Sequence, residues 1–310
     1  MGYLFLLASI CSGAIKGFFG KKISDKTSGI KSAVLSNIIR MLFCIPIGFI
    51  FVLFDGGVST LGVSIDVLLI SALAGVATSV FIVSWLLGVQ KGAYSTVDTF
   101  VAMSVLVPII FSVIFYGERV SLSQIIGLLL LFSAVIIMSL YTNQIKQKMT
   151  LSTILLLLVV SLANGFADFS FKIFNHRSPS VPASVFNFYI YVFSAIILTI
   201  VFFCLKEKAP ADNNLEESEL SLPQKKANLN KRKILYIAIM ALCLFCHSLF
   251  KTLAASRLNS VQLFPLQQGT AICISLFMAA TFFKERINPL CVVGVVILFI
   301  GLLFLNVITF

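Results

Sequence analysis

Apolar residues in this chain gather into long blocks, with polar residues confined mainly to the breaks between them. The blocks lie near residues 2–20, 32–54, 65–87, 93–117, 121–141, 150–174, 182–205, 233–256, 260–283 and 288–309. At about 1.5 Å rise per residue, each is long enough to cross a hydrocarbon core of about 30 Å as a helix. Helix is the required form, because lipid offers no hydrogen-bond partners and each segment must satisfy its own backbone N–H and C=O groups. The pattern therefore predicts an all-α membrane protein of ten transmembrane helices. Short connections predict antiparallel neighbours in one bundle. The stretch 206–233, rich in Lys, Glu, Asn, Ser and Pro, is long and polar enough to read as a flexible linker.

Residues recur between the two halves. At an offset of 152, the first block lays Ser9 on Ser161, Ser12 on Asn164, Gly13 on Gly165 and Lys16 on Asp168. At an offset of 167, Gly117-Glu118-Arg119 matches Lys284-Glu285-Arg286, Gly127 matches Gly294, and Phe132 matches Phe299. The two offsets differ by about the length that the linker inserts. The expected organisation is a first five-helix repeat over 1–148 and a second over 149–310. Because five is odd, the second repeat would thread the membrane in the opposite sense to the first.

Composition narrows the class further. With 59% hydrophobic and 11% charged residues and a mean hydropathy of +1.05, the chain lacks the polar surface of a water-soluble globule. A net charge of +11 would suggest nucleic acid as partner in a soluble chain. Here the basic residues sit in loops and at block ends, and orientation in the membrane explains them instead. Sixteen fall in the loops after the odd-numbered blocks, and four, Arg119, Lys172, Arg177 and Arg257, on the opposite side. Positive-inside logic puts the sixteen in the cytoplasm and both termini outside. Seven cysteines scattered through apolar blocks read as packing residues, with no disulfide framework. Cys243-Leu-Phe-Cys246-His247 has the spacing of a haem-attachment site, but lies inside an apolar block that leaves no room for a macrocycle. Met1-Gly2-Tyr3-Leu4 lacks a basic n-region, so the first block is expected to be retained.

The candidate chemistry is a few polar groups inside these blocks. Lys16, Asp98, Asp168 and Lys251 fall within spans, where each would cost about 2.5–3.5 kcal/mol at a helix centre unless paired or wetted. Lys16 and Asp168 hold equivalent repeat positions and are expected to meet beside a central cavity, directly or through water. A salt bridge that only ties the halves together is the plainer alternative. Asp98 either faces this cavity or lies near the interface. His247 and Lys251, four residues apart, share one helix face; His247 either packs or relays a coupling proton with Asp98 or Asp168. Ser12, Asn164 and Gln267 offer hydrogen bonds to a polar substrate, and Gly13 and Gly17 leave space or allow close helix packing. Lys172 is expected to snorkel at a helix end, and Trp85 and Tyr94 to anchor at the interface. The substrate or ion pathway is thus assigned to Ser12, Lys16, Asp98, Asn164, Asp168, His247, Lys251 and Gln267. No catalytic residue, metal site or cofactor is expected.

The two Glu-Arg helix ends with their following glycines, and the run Met103 to Ser112 before the first of them, resemble the drug/metabolite transporter superfamily and its EamA-type ten-span members. The resemblance covers essentially the whole chain. It implies a secondary transporter in the cell (plasma or inner) membrane, often an exporter, moving a small metabolite such as an amino acid, nucleoside, sugar, cofactor precursor or drug. It also implies cytoplasmic termini, opposite to the charge count. A lipid-linked sugar flippase is a variant of this expectation, and a homodimer is compatible with it. A membrane-embedded enzyme and a non-transporting scaffold are the rivals of other classes, and with two His in the chain the catalytic groups of an enzyme would be scarce.

Overall fold

The computed structural model of the chain describes residues 1–24, 29–91, 94–140, 151–205, 223–284 and 289–306. These residues form α-helices α1 (Gly2–Ser24), α2 (Gly29–Phe54), α3 (Ile65–Lys91), α4 (Tyr94–Ala102), α5 (Leu106–Tyr116), α6 (Leu122–Leu140), α7 (Leu151–Arg177), α8 (Ala183–Cys204), α9 (Pro223–Ala255), α10 (Ser260–Thr281) and α11 (Pro289–Asn306), with short 3-10 turns at Val58–Leu61 and Met103–Val105. No strand occurs among the described residues. Seven of the helices, α1, α2, α3, α7, α8, α9 and α10, contain stretches long and apolar enough to cross a membrane, and Phe100–Tyr116, Leu122–Ile137 and Val292–Leu305 are shorter apolar stretches. The protein is an all-helical, multi-pass membrane protein.

Two boundaries depart from the hydropathy pattern. The fourth block is not one helix: it breaks into α4 and α5 at Met103–Val105. Pro108 lacks an N–H and its ring crowds the carbonyl four residues back, at Ser104, so the preceding turn tightens to 3-10. Helix α9 begins at Pro223, well inside the expected linker. Proline suits a first helical turn, and the Gln, Lys and Ala that follow are good helix formers. The rest of that linker, 206–222, lies outside the described residues, as do Glu285-Arg286 and the expected boundary between repeats at 148–149.

Packing pairs helices from opposite halves of the chain. Helix α1 runs along α9, α3 along α7, α2 along α8, and α6 along α11; α4 and α5 lie against α10 and α7. The outer surface is apolar, and the interior mixes an apolar core with buried polar side chains. Leu69, Leu129, Phe203 and Phe277 are exposed, whereas Ser9, Asn37, Ser104, Asn187, Thr252 and Gln267 are buried between helices. Lipid tails are as apolar as leucine, so helices gain by close backbone approach and interhelical hydrogen bonds instead of by burying oil.

The α6–α11 pair shows how close that approach is. A Cβ added to Gly127 would lie 2.7 Å from the Gly301 carbonyl oxygen, and one on Gly301 would lie 2.9 Å from the Gly127 carbonyl oxygen. Backbone cannot swing aside, so even one methyl forces the helices apart. Gly127→Ala is expected to cost about 1–3 kcal/mol of stability by overpacking. Gly62→Ala, whose Cβ would meet nothing nearer than 3.6 Å, serves as control. Thermal unfolding of the two variants in detergent measures the difference.

Candidate functional site

Near mid-length of the helices, α1, α2, α3, α4, α7, α9 and α10 enclose a cavity of about 100 Å³. Roughly 10–15 Å³ is enough for a single water, so the space can hold several. Six of the residues expected in the pathway line it: Lys16, Asp98, Asn164, His247, Lys251 and Gln267. Ser12 is half-buried on α1 outside the lining, and Asp168 sits behind Lys251.

Asp168 is paired, but not with Lys16. Lys251 Nζ lies 2.5 Å from Asp168 Oδ1, with the two side chains 3% and 2% exposed. The same ammonium lies over the rings of Phe171 at 5.8 Å and Phe264 at 5.6 Å, which adds cation–π attraction. The direct form of the expected Lys16–Asp168 contact is not made, for a packing reason. Helix α7 packs on α9, as α1 also does, so a lysine on α9 reaches the carboxylate first.

His247 serves packing and lines the cavity at once. Its Nδ1 lies 2.8 Å from the Ser9 carbonyl, which can only accept, so Nδ1 carries the proton and donates. Ser9 Oγ in turn donates to the His247 carbonyl at 2.9 Å. Gly13 makes room for this ring: a Cβ there would lie 2.9 Å from Nδ1. On α7, Asn164 Nδ2 donates to Ser104 Oγ at 2.8 Å, across the 3-10 turn that separates α4 from α5. A Cβ on neighbouring Gly165 would lie 2.8 Å from the Ser104 carbonyl, so the glycine lets α7 cross against that turn.

Two expectations about anchors are corrected. Trp85 is 8% exposed, lines the cavity and donates its indole N–H to Asp98 Oδ1 at 2.9 Å, so it is an interior donor and not an interfacial anchor. The side chain of Tyr94 lies outside the described residues. Lys172 does not snorkel. It is buried and held by Glu118 Oε1 at 3.2 Å and by the Leu258 carbonyl at 2.6 Å. Glu118 also accepts from the Ser260 backbone N–H at 2.8 Å, capping the first turn of α10. Gly117, at φ 63, makes the left-handed turn that ends α5 and precedes this carboxylate. Together these contacts tie α5, α7 and α10 at one end of the bundle.

Arg40 is the site residue that the hydropathy pattern hides. It is 4% exposed on α2 and lines the cavity, and neither Nε nor Nη2 has a hydrogen-bond partner among the described residues. A charge count reveals it: of 23 basic residues, sixteen and four lie in loops and at helix ends, which leaves Lys16, Lys251 and Arg40 inside spans.

The sequence model described as the EamA-like transporter family matches residues 1–140 and 151–307. No curated protein matches the chain. One solved crystal structure superposes with a TM-score of 0.70 at 11% identity, covering 98% of this chain and 96% of that one, a likeness of fold alone.

The buried pair generates a prediction. Lys251→Met or Asp168→Asn alone leaves one charge uncompensated and is expected to cost about 3–5 kcal/mol, while the double substitution recovers most of it. Unfolding of the three variants forms a double-mutant cycle. Equal destabilisation by the double and the sum of the singles contradicts a coupled pair.

Proposed function

This chain belongs to the EamA-like transporter family, and from that premise we propose that it is a secondary active transporter, not an enzyme. It moves a small polar or amphipathic metabolite across the cell membrane by alternating access. The observation that carries the reading is a cavity between helices from both halves of the chain, lined by charged groups among apolar side chains and large enough for several waters.

The proposal includes ten transmembrane helices arranged as two inverted five-helix repeats, 1–148 and 149–310. The run Tyr94–Tyr116 through its 3-10 turn, α6 and α11 supply the three spans that are shorter as single helices. Helix pairing supports the repeat. Exchanging α1 with α7, α2 with α8, α3 with α9, α4 and α5 with α10, and α6 with α11 turns the α1–α9 contact into α7–α3 and leaves α2–α8 and α6–α11 unchanged. Halves related this way can rock about the cavity between them. The Glu118–Lys172–Ser260 contacts then hold one end shut and must break for that end to open. The cavity lies within one chain, so a homodimer is not needed to complete it.

Proton coupling through Asp98, Asp168 or His247 is the finer part of the proposal. Lys251 holds Asp168 outside the lining and the Ser9 carbonyl holds His247 Nδ1, whereas Asp98 is the carboxylate that lines the cavity itself. Its place in the lining makes Asp98 the coupling residue of choice. Counterflow of radiolabelled amino acids, nucleosides, sugars and vitamins in proteoliposomes tests transport, and is expected to reveal at least one exchanged solute. Asp98→Asn is expected to abolish uptake driven by a pH gradient while keeping counterflow. Unchanged pH-driven uptake removes Asp98 from that role, and product formation without compartments favours an enzyme.

A further inference from the structure

The cavity carries more positive charge than its own carboxylates can neutralise. Three cations, Lys16, Arg40 and Lys251, line it against one lining carboxylate, Asp98, and a second, Asp168, already committed to Lys251. Counting both carboxylates as fully used still leaves one cation over. Lys16 makes no side-chain hydrogen bond or ion pair among the described residues, and its charged surroundings are Arg40 and Lys251 as well as Asp98 and Asp168. Around Arg40 the nearby titratable groups are Lys16, Cys44 and Tyr191, with no carboxylate among them.

Arg40 is the unusual member. A guanidinium stays charged in proteins and presents donors in a fixed fork. Leaving two of its N–H groups buried and unanswered is costly, and buried charges are found paired or liganded. A purely structural arginine in this place would be expected to hold a carboxylate or a set of carbonyls, as Lys172 holds Glu118 and Leu258. The lysine sharing the cavity adds a mobile second cation, and the fork matches the planar oxygens of a carboxylate or two oxygens of a phosphate.

Resting on the transport reading above, we propose that the transported solute is an anion, bound through a carboxylate or phosphate group by Arg40 with Lys16 as second contact. The cation excess then corresponds to a binding site awaiting its charge partner. The neutral part of the solute meets apolar lining residues such as Phe81, Leu244, Ile274 and Met278. Such a site trades stability for function, because the residue that binds the ligand destabilises the empty protein.

The test uses purified full-length protein, with thermal unfolding followed against inorganic phosphate, glycerol phosphate, acetate, lactate and succinate, at ionic strength held constant with sodium chloride. Glycerol, lactamide and ethanolamine serve as neutral and cationic counterparts. At least one anion is expected to raise the wild-type Tm, and the pattern separates a phosphate from a carboxylate site. Arg40→Gln is expected to keep or raise the ligand-free Tm and to weaken anion binding at least tenfold, and Arg40→Lys to recover part of it. Should Arg40→Gln fail to fold, Lys16→Gln decides, with an expected loss of anion binding of the same sign. Equal stabilisation of wild type and of the folded variants by anions overturns the proposal, as does stabilisation by neutral or cationic compounds alone. Counterflow keeps the two readings apart: an exchanged neutral solute with no anion exchange sinks the anion site and leaves transport standing, whereas anion binding with no exchange of any solute does the reverse.

Discussion

Ionised groups cannot face acyl chains, and that constraint organises this bundle. Lys16, Arg40, Asp98, Asp168 and Lys251 all lie on membrane-length helices or on the helix run beside them, and all are turned to the interior. The Lys251–Asp168 pair meets the constraint by direct contact, further shielded by Phe171 and Phe264. The other three line the cavity, where water or a solute can answer them. A charge at each of these positions therefore requires either a partner or a wet space, and the fold provides both side by side.

Close backbone crossings make that arrangement possible. Gly127 and Gly301 let α6 meet α11, Gly13 admits the His247 ring between α1 and α9, and Gly165 lets α7 cross the 3-10 turn between α4 and α5. Pro108, whose ring crowds the Ser104 carbonyl, favours that turn, and Ser104 within it is where Asn164 reaches across. At the far end, Glu118 joins α10 to α7 through one carboxylate. Close pairs admitted by glycines, with polar contacts at the ends, suit the rocking motion proposed above.

Much of this was legible in the order of residues. Helical membrane architecture followed from block length, and six of eight expected pathway residues line one cavity, because buried polar groups in lipid converge on the few places that can satisfy them. Pair partners were less legible. Repeat symmetry favoured Lys16 for Asp168, yet symmetry relates positions and does not create contact; the packing of α7 on α9 chose Lys251. Lys172 and Trp85 look like interfacial residues from their places near block ends, and only the third dimension supplies Glu118 and Asp98 as their partners. Arg40 is hidden by the strongly apolar residues around it, which keep the block hydrophobic despite a full charge.

Whether the cavity is reached by water decides the account most directly. In a background free of the seven native cysteines, Ala271→Cys places a thiol in the cavity lining, and Phe277→Cys places one on the exposed side of the same helix. If water reaches the cavity, a membrane-impermeant maleimide modifies the first in liposomes and spares the second. Modification of neither by the impermeant reagent, with both open to a lipid-soluble one, would contradict it.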